Sequence, residues 1–395
     1  MSTAHIHEAP PVVWDPQNPH AYWDQRRQEG DIVWDDTMQA WLVLGYQAAR
    51  DILSGPGWSS NLLSKPEIYE SISPTFDPEM FNRFILFADG VNHIRLRKAV
   101  RDVFTRSFIA GMRTGVQAIG SALIGHPEPH TVFDFMTEIA LPMPVAIIGE
   151  WLRLDTNASR FLNDQAPTII RMLQSLADPE EVARGTAAFS SIFMDFLPLA
   201  ADRRTHPGDD LLSLIASDPD LELDDVVITA ILIAVASRET TANLLGAAIV
   251  RLLTPEPDGA RIIDDVDPAD PSLVTELFRL DASVQTAART ATQDHAICGV
   301  DIAQGQQVVV VIPAVNRDPA VFDEPSRFRW NRSGPAPLTF SHGAHYCLGA
   351  ALARLEITVA LEEISARKPS LAGPPIWGDT QAIRGPQSVP MIFDR

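Results

Sequence analysis

Basic residues are scarce. The 395-residue chain has 31 Lys and Arg against 51 Asp and Glu, a formal charge of -20. Phosphate backbones and anionic lipid surfaces therefore repel it as a whole, and neither nucleic acid nor a membrane is an expected partner. Cysteine is scarcer still. Cys298 and Cys347 are the only two, too few for the disulfide framework of a secreted scaffold, and a reducing cytoplasm is the expected compartment. Long apolar runs are also missing. The longest, Val226 to Ala236, is interrupted by Thr229; it falls well short of the roughly 18–20 residues that cross a bilayer and is expected as a buried core helix. The N-terminal stretch MSTAHIHEAPPVVWDPQNPH is acid-leaning and broken by prolines. A secretory leader needs basic residues followed by an apolar run, so no export is expected. What remains, 46% hydrophobic and 21% charged residues, is the balance of a globular protein with ample core, which excludes disorder, collagen and coiled coil.

From about Pro19 to Leu280 the apolar spacing is mostly helical, as in Phe133 to Leu154, Asn157 to Leu176 and Asp224 to Leu253. One early exception, DIVWDDTMQAWLVLG, reads as a hairpin around the polar turn Asp35 to Thr37. Around Val284 the texture changes to short runs, VQTAAR, HAICGVDI and QQVVVVIP, punctuated by Gly299 and Gly305, so strands replace helices. Residues 313–346 are rich in Pro, Asp, Asn and Arg without a sustained period, and a loop of that length inside a compact domain is often functional. Leu348 to Ala366 returns to helix, and the tail reads as further strand and turn. The expected fold class is mainly α with a small β-sheet region. There is no internal repeat, low-complexity tract or flexible linker.

The most informative segment is FSHGAHYCLG, Phe340 to Gly349, which runs into the helix GAALARLEITVALEEI. It places a thiol at a helix start, where free N–H groups and the positive end of the helix dipole stabilise a thiolate. Gly343 and Gly349 admit close approach of backbone and of a flat ligand. Three readings compete for Cys347. It can be an ordinary buried cysteine. It can join His342 and His345 on zinc, with a fourth ligand from distant Cys298 or a carboxylate. It can be the axial thiolate of a haem, which needs one cysteine, a tight glycine loop, an aromatic neighbour and cations for two propionates. Only the last uses every feature of the segment.

The segment resembles the ligand loop of the cytochrome P450 haem-thiolate monooxygenases, Phe-x-x-Gly-x-(His/Arg)-x-Cys-x-Gly, matched here by Phe340, Gly343, His345, Cys347 and Gly349. The resemblance extends over most of the chain and implies one P450 domain over 1–395 enclosing haem b, with minor sheets from about 31–44, 284–312 and 380–395. It makes Cys347 the iron ligand, packs Phe340 near the sulfur and points His345 to a propionate. His93 and Arg97, in VNHIRLRKAVRDVF, resemble the family's His-x-x-x-Arg pair on the propionates, and Arg289 its next propionate-binding arginine. Four Glu-x-x-Arg pairs occur, at Glu150/Arg153, Glu181/Arg184, Glu276/Arg279 and Glu324/Arg327. Only Glu276/Arg279 precedes VQTAAR and then NRDPAVFDEPSRFRWNR in the family's order, and the resemblance joins Glu276, Arg279 and Arg332 in a buried structural triad.

Arg238 and Glu239 interrupt an apolar helix whose spacing resumes at Ala242 to Ile249, so the charges are expected mid-helix over buried surface, a costly placement without a function. The family pattern there is Ala-Gly-x-(Asp/Glu)-Thr, matched by Ala236, Glu239 and Thr240. Two departures stand out. Ser237 replaces the usual glycine, and Ser283 stands where proline is common; the second is expected to bring only a local backbone change. By resemblance Thr240 and Glu239 are catalytic and relay protons during oxygen activation.

Electrons are then expected from a ferredoxin and its reductase. The segment His93 to Arg106 carries Arg95, Arg97, Lys98, Arg101 and Arg106 against the single acid Asp102, a positive face on which an acidic ferredoxin is expected to dock. The implied activity is hydroxylation or other oxidation of an apolar or aromatic small molecule in secondary metabolism, with a carrier-bound precursor included. Oxidative coupling or ring formation is the alternative outcome, and a haem-binding sensor the non-enzymatic one. The expected pocket wall comprises 58–88, Ile169 to Leu176, Ile233 to Thr240, Ala282 to Thr286 and Ile383 to Ser388.

Overall fold

The computed structural model describes residues 12–395 apart from 73, 75, 76 and 381. The acid-leaning stretch read as lacking a leader thus falls largely outside the described residues, as do three positions of the 58–88 pocket segment.

Helices dominate. Their starts follow from local chemistry: Asp155 accepts hydrogen bonds from Asn157 N and Ala158 N before the helix Thr156–Gln174, and Asp178 does the same for Pro179–Thr205. The central helix, Leu223–Leu253, opens with a reciprocal capping box between Glu222 and Asp225. Its 31 residues make it about 46 Å long. Outside Ser237 to Thr240 and its polar ends it is apolar on all sides, which is why it runs through the middle of the molecule and not over its surface. The main apolar core, from Ile68 to Phe393 in sequence, is built around it.

Phe133 to Leu154 is not one helix. It splits into a short strand, Phe133–Asp134, a π-helical turn, Met136–Ala140, and the helix Pro142–Trp151. Pro142 and Pro144 lack the N–H that a continuous helix would use, so the break falls just before them. The hairpin forms with strands Ile32–Asp35 and Ala40–Val43 in antiparallel register. Its turn is displaced from the expected Asp35–Thr37 because Asp35 completes the strand. Its carboxylate accepts from Thr37 N and Met38 N, and Gln39 takes the positive φ of 48°.

The five-stranded sheet runs in the order Ile32–Asp35, Ala40–Val43, Gln307–Val311, Thr286–Ala291 and Trp58–Ser59. The antiparallel register of Thr286–Ala291 on Gln307–Val311 sets Arg289 opposite Val308. The long segment after Pro313 contains short helical turns at Leu338–Phe340 and Gly343–His345. The helix Ala350–Ala366 follows.

Candidate active site

Cys347 sits between the turn Gly343–His345 and the helix Ala350–Ala366. The loop is tied by Cys347 N donating to Phe340 O at 2.9 Å and Tyr346 N to Gly343 O at 3.1 Å. Gly343 is required twice over. Its φ is +73°, and a Cβ there would lie 2.6 Å from Leu53 O. Gly349 differs: an added Cβ would meet only Cys347 Sγ, at 4.0 Å, so protein packing leaves room above the sulfur. The N–H groups of Gly349 and Ala350 point at Sγ; burial pushes the thiol up, while these donors and Arg97 pull it down. Protein surrounds Cys347, yet the residue is accessible. Phe340 is clamped beside it, edge-on to Phe278 at 4.8 Å with the Arg354 guanidinium over both rings.

The expected cations converge nearby. His93, on the helix Gly90–Arg101, is 5% exposed, and its Nε2 is buried without a partner among the described residues. Its ring lies 4.2 Å from that of His345. Burial first, then the charges of His345 and Arg97, push His93 down to about 4, and Arg289 acts in the same direction. Arg97 donates to Tyr346 O at 2.6 Å, and Arg289, 7% exposed, donates to Ala288 O at 2.7 Å. Burial lowers both guanidinium groups. Burial depresses His93, Arg97 and Arg289, and the basic neighbours depress His93 further; a dianion seated among them would relieve all three. The orphaned His93 nitrogen, the accessible thiol and the room at Gly349 together fit a flat, dianionic haem. Among the described residues no group of three or more His, Cys, Asp and Glu is arranged to hold a metal ion, which removes support for the zinc reading.

Asp89 escaped the sequence reading. It precedes the helix of His93 and Arg97, a position where an acid signals a helix start, but it does not cap that helix. Instead its carboxylate accepts from the Ser59 hydroxyl and Ser60 N, and its Oδ1 is 3.9 Å from His345 Nε2. Burial alone would raise this acid. The nearby His345 imidazole and the hydrogen bond from Ser59 overcome that and take it to about 2.

Glu276 binds Arg279 through both oxygens at 2.8 Å, and its Oε1 also receives Arg332 Nε at 2.9 Å and Arg329 N at 2.8 Å. Burial would raise Glu276, but these donors, Arg279 foremost, hold it below the usual range. The look-alike pairs are different objects. Glu181/Arg184 and Glu324/Arg327 are solvent-facing ion pairs, and Arg153 pairs with Asp209 in place of Glu150.

On the central helix, turns that are buried on either side leave Ala236 exposed and Ser237 to Thr240 only half-buried. Thr240 Oγ1 donates to Ala236 O at 2.7 Å and Ser237 Oγ to Ala234 O at 2.9 Å. Glu239, 22% exposed at its side chain, pairs with Arg238 at 3.3 Å, and Arg238 reaches Asn163 on the neighbouring helix. Burial pushes Glu239 up, opposed by Arg238 and Arg171. The effect expected of Ser283 needs correction, since it is more than local. Its hydroxyl donates to Thr240 O at 2.7 Å, while Arg384 N donates to Ser283 O and Gln285 N to Ala382 O. Three of the expected pocket segments are thereby joined. Gly385 packs so tightly on the central helix that a Cβ would stand 2.3 Å from Asn243 Cβ.

The positive face expected over His93 to Arg106 is largely neutralised. Arg95 pairs with Asp225, Lys98 with Asp220 and Arg101 with Asp102. Arg106 is exposed without an ionic partner among the described residues.

An accessible thiol inside a mainly helical fold, set among basic side chains, fits a haem-thiolate protein. The profile of the family Cytochrome P450 matches residues 271–364. The 6-deoxyerythronolide B hydroxylase of Saccharopolyspora erythraea is 32% identical over 371 residues, 90% of this chain and 90% of that protein. The crystal structure of P450BioI in complex with hexadec-9Z-enoic acid ligated acyl carrier protein matches with a TM-score of 0.86 at 26% identity, over 96% of this chain and 99% of that one. The cytochrome P450 enzyme CxnD, for C–S bond formation in chuangxinmycin biosynthesis, matches with a TM-score of 0.84 at 27% identity, over 98% of each chain. This chain belongs to the cytochrome P450 family, with its fold, its haem b cofactor and its oxidoreductase chemistry. No helix among the described residues is long and apolar enough to cross a membrane.

Proposed function

We propose that the chain acts as one catalytic domain over 1–395 that oxidises an apolar small molecule in secondary metabolism, drawing electrons from a ferredoxin and its reductase in the cytoplasm. The observation that carries this reading is the accessible thiol of Cys347 with two backbone donors on its sulfur, beside the buried His93 and Arg289 and the part-buried Arg97 and His345. Cys347 is the iron ligand, Phe340 shields the sulfur, and Gly349 leaves the face above it free. His93, Arg97, Arg289 and His345 hold the propionates. When bound, the haem supplies dioxygen activation and the oxidising power for attack on a C–H bond.

The chain's own residues aim and protonate. Thr240 Oγ1 donates to Ala236 O, so the half-buried hydroxyl keeps its acceptor capacity for water. Glu239, pushed up by burial and only part-buried, holds a proton more readily than a free carboxylate and can exchange it with solvent, which suits a relay. The half-buried apolar side chains Leu62, Leu63, Leu173, Ile233 and Ile383 suit an apolar substrate.

A carrier-bound acyl substrate is supported by the carrier-protein complex of P450BioI, and bond formation other than hydroxylation by CxnD. The test is consumption of reduced ferredoxin in step with product, after candidate substrates are screened by their shift of the haem absorption spectrum. Substrate-dependent turnover is expected. Haem binding without any turnover would support the sensor reading. Docking near the helix Gly90–Arg101 is expected to depend on exposed Arg106 more than on Lys98, because Lys98 is already paired with Asp220. Arg106→Glu should slow ferredoxin reduction several-fold at low salt and weaken its salt dependence, with Lys98→Glu the milder change. The reverse order would place the docking face elsewhere.

A further inference from the structure

Away from the candidate active site, the end of the central helix meets the N-terminal segment in a cluster of buried cations. Arg251 lies in its last turn and is bound by Asp281, with Nη2 2.7 Å from Oδ1. Arg384, from the turn after Ile383, donates to Pro16 O and Gln17 O at 2.9 Å and lies 4.1 Å over the Trp377 ring. Arg317 follows the short helix Ile312–Val315. His20 begins the helix His20–Arg27. The charges of Arg317, Arg384 and Arg251 all act on the His20 ring, and burial with those charges pushes it well below its usual value.

Arg317 is the unexplained member. The residue is 6% exposed, its Nε is sealed from solvent, and no nitrogen of its guanidinium has an acceptor among the described residues. His20 Nδ1 is likewise sealed and partnerless. Asp281 is the one carboxylate that acts on all three guanidinium groups; Glu276 and Glu256 also act on Arg251, Asp24 on Arg317 and Asp15 on Arg384. Burial, then Arg251, depresses Arg317 to about 9, and burial depresses Arg384 to about 10 despite the attraction of Asp281. Burying a guanidinium without an acceptor is among the costliest arrangements in a protein interior, and such a group calls for a bound water or ion. Water can accept a hydrogen bond but leaves the charge excess in place.

We propose that the cluster of Arg317, Arg384, Arg251 and His20 is a structural site for a small inorganic anion of the halide class. A monatomic anion accepts donors from any direction and fits where a residue this enclosed leaves little room. Seated there, it links the N-terminal segment, the end of the central helix, the turn after Val315 and the turn at Arg384. The last turn donates to Ser283 O through its backbone and so borders the substrate side.

The test uses the haem-loaded full chain. In crystals where bromide replaces chloride, an anomalous peak touching Arg317 nitrogen is expected. In solution, sodium chloride replacing sodium methanesulfonate at fixed ionic strength should raise the unfolding midpoint by about 1–3 °C. Arg317→Met should abolish that rise and be at least as stable as the parent without chloride, because it removes an uncompensated buried charge. Should Arg317→Met fail to fold, the bromide map and the parent's chloride response still decide. Ordered water in place of bromide overturns the proposal. So does a bromide peak without any chloride effect on stability, which marks an adventitious ion only, or a rise that survives in Arg317→Met.

Discussion

The cysteine side and the central-helix side of the candidate active site are held by different means. On the cysteine side each group is fixed several times over: Phe340 by Phe278 and Arg354, the loop by Gly343 against Leu53, and Glu276 by three residues at once. On the helix side, Ala236 to Thr240 are accessible, their hydroxyls satisfied by single bonds to helix carbonyls, with one external tie from Ser283. Redundant packing sets a ligand immovably, whereas a site that moves protons and admits a substrate needs exposed, singly bonded groups.

The sharpest way to break that contrast is Glu276→Ala. It leaves Arg279 buried without its carboxylate, and we expect a loss of about 3–5 kcal/mol in urea unfolding together with poor haem retention. A change under about 1 kcal/mol would show that the triad is not what holds the cysteine side. Thr240→Ala should leave folding and haem binding intact and lower product formed per electron consumed. An effect on the order of 10²-fold on the productive rate is expected, read from product and peroxide yields; unchanged coupling would remove Thr240 from the relay.

The cysteine side holds one exception, and it sets a pH dependence. Glu356, in the helix after Cys347, is 2% exposed, has no partner for Oε2 among the described residues, and burial pushes it to about 8. Below the usual 4.5 both folded and unfolded chains are protonated. Between there and about 8 the unfolded chain gives up the proton and the folded chain keeps it. Stability therefore falls as pH rises through that window, by up to about 1.4 kcal/mol per pH unit. Glu356→Gln should flatten this slope and be the more stable protein at pH 8; identical pH profiles for the two would contradict it. The smallest effect is expected at Ser283→Ala, about 1 kcal/mol for one lost hydrogen bond to Thr240 O. Coupling should be lowered as well, and Ser283→Thr should restore it. A stability change without a coupling change would leave Ser283 a purely structural tie.

What could be read in advance follows the same division. The ligand loop is legible because its residues lie within ten positions, each constrained by local geometry, and Glu276/Arg279 stood out from three look-alikes by chain order alone. Ser283 on Thr240, Asp89 beside His345, and Arg317 in its cation cluster join residues far apart in sequence, and no local pattern announces them. The positive face failed for the same reason: counting charges from His93 to Arg106 misses Asp220 and Asp225, which fold back onto Lys98 and Arg95. The break at Pro142 and Pro144 follows from proline chemistry, which overrides the helical apolar period around it.

The central claim is that the Cys347 sulfur binds the haem iron, and the reduced, carbon-monoxide-treated absorption spectrum tests it most directly. The account predicts the long-wavelength Soret band of thiolate-ligated haem in the parent protein and its loss in Cys347→Ser. A spectrum of the histidine-ligated type in the parent, or an unaltered band in the variant, would contradict it.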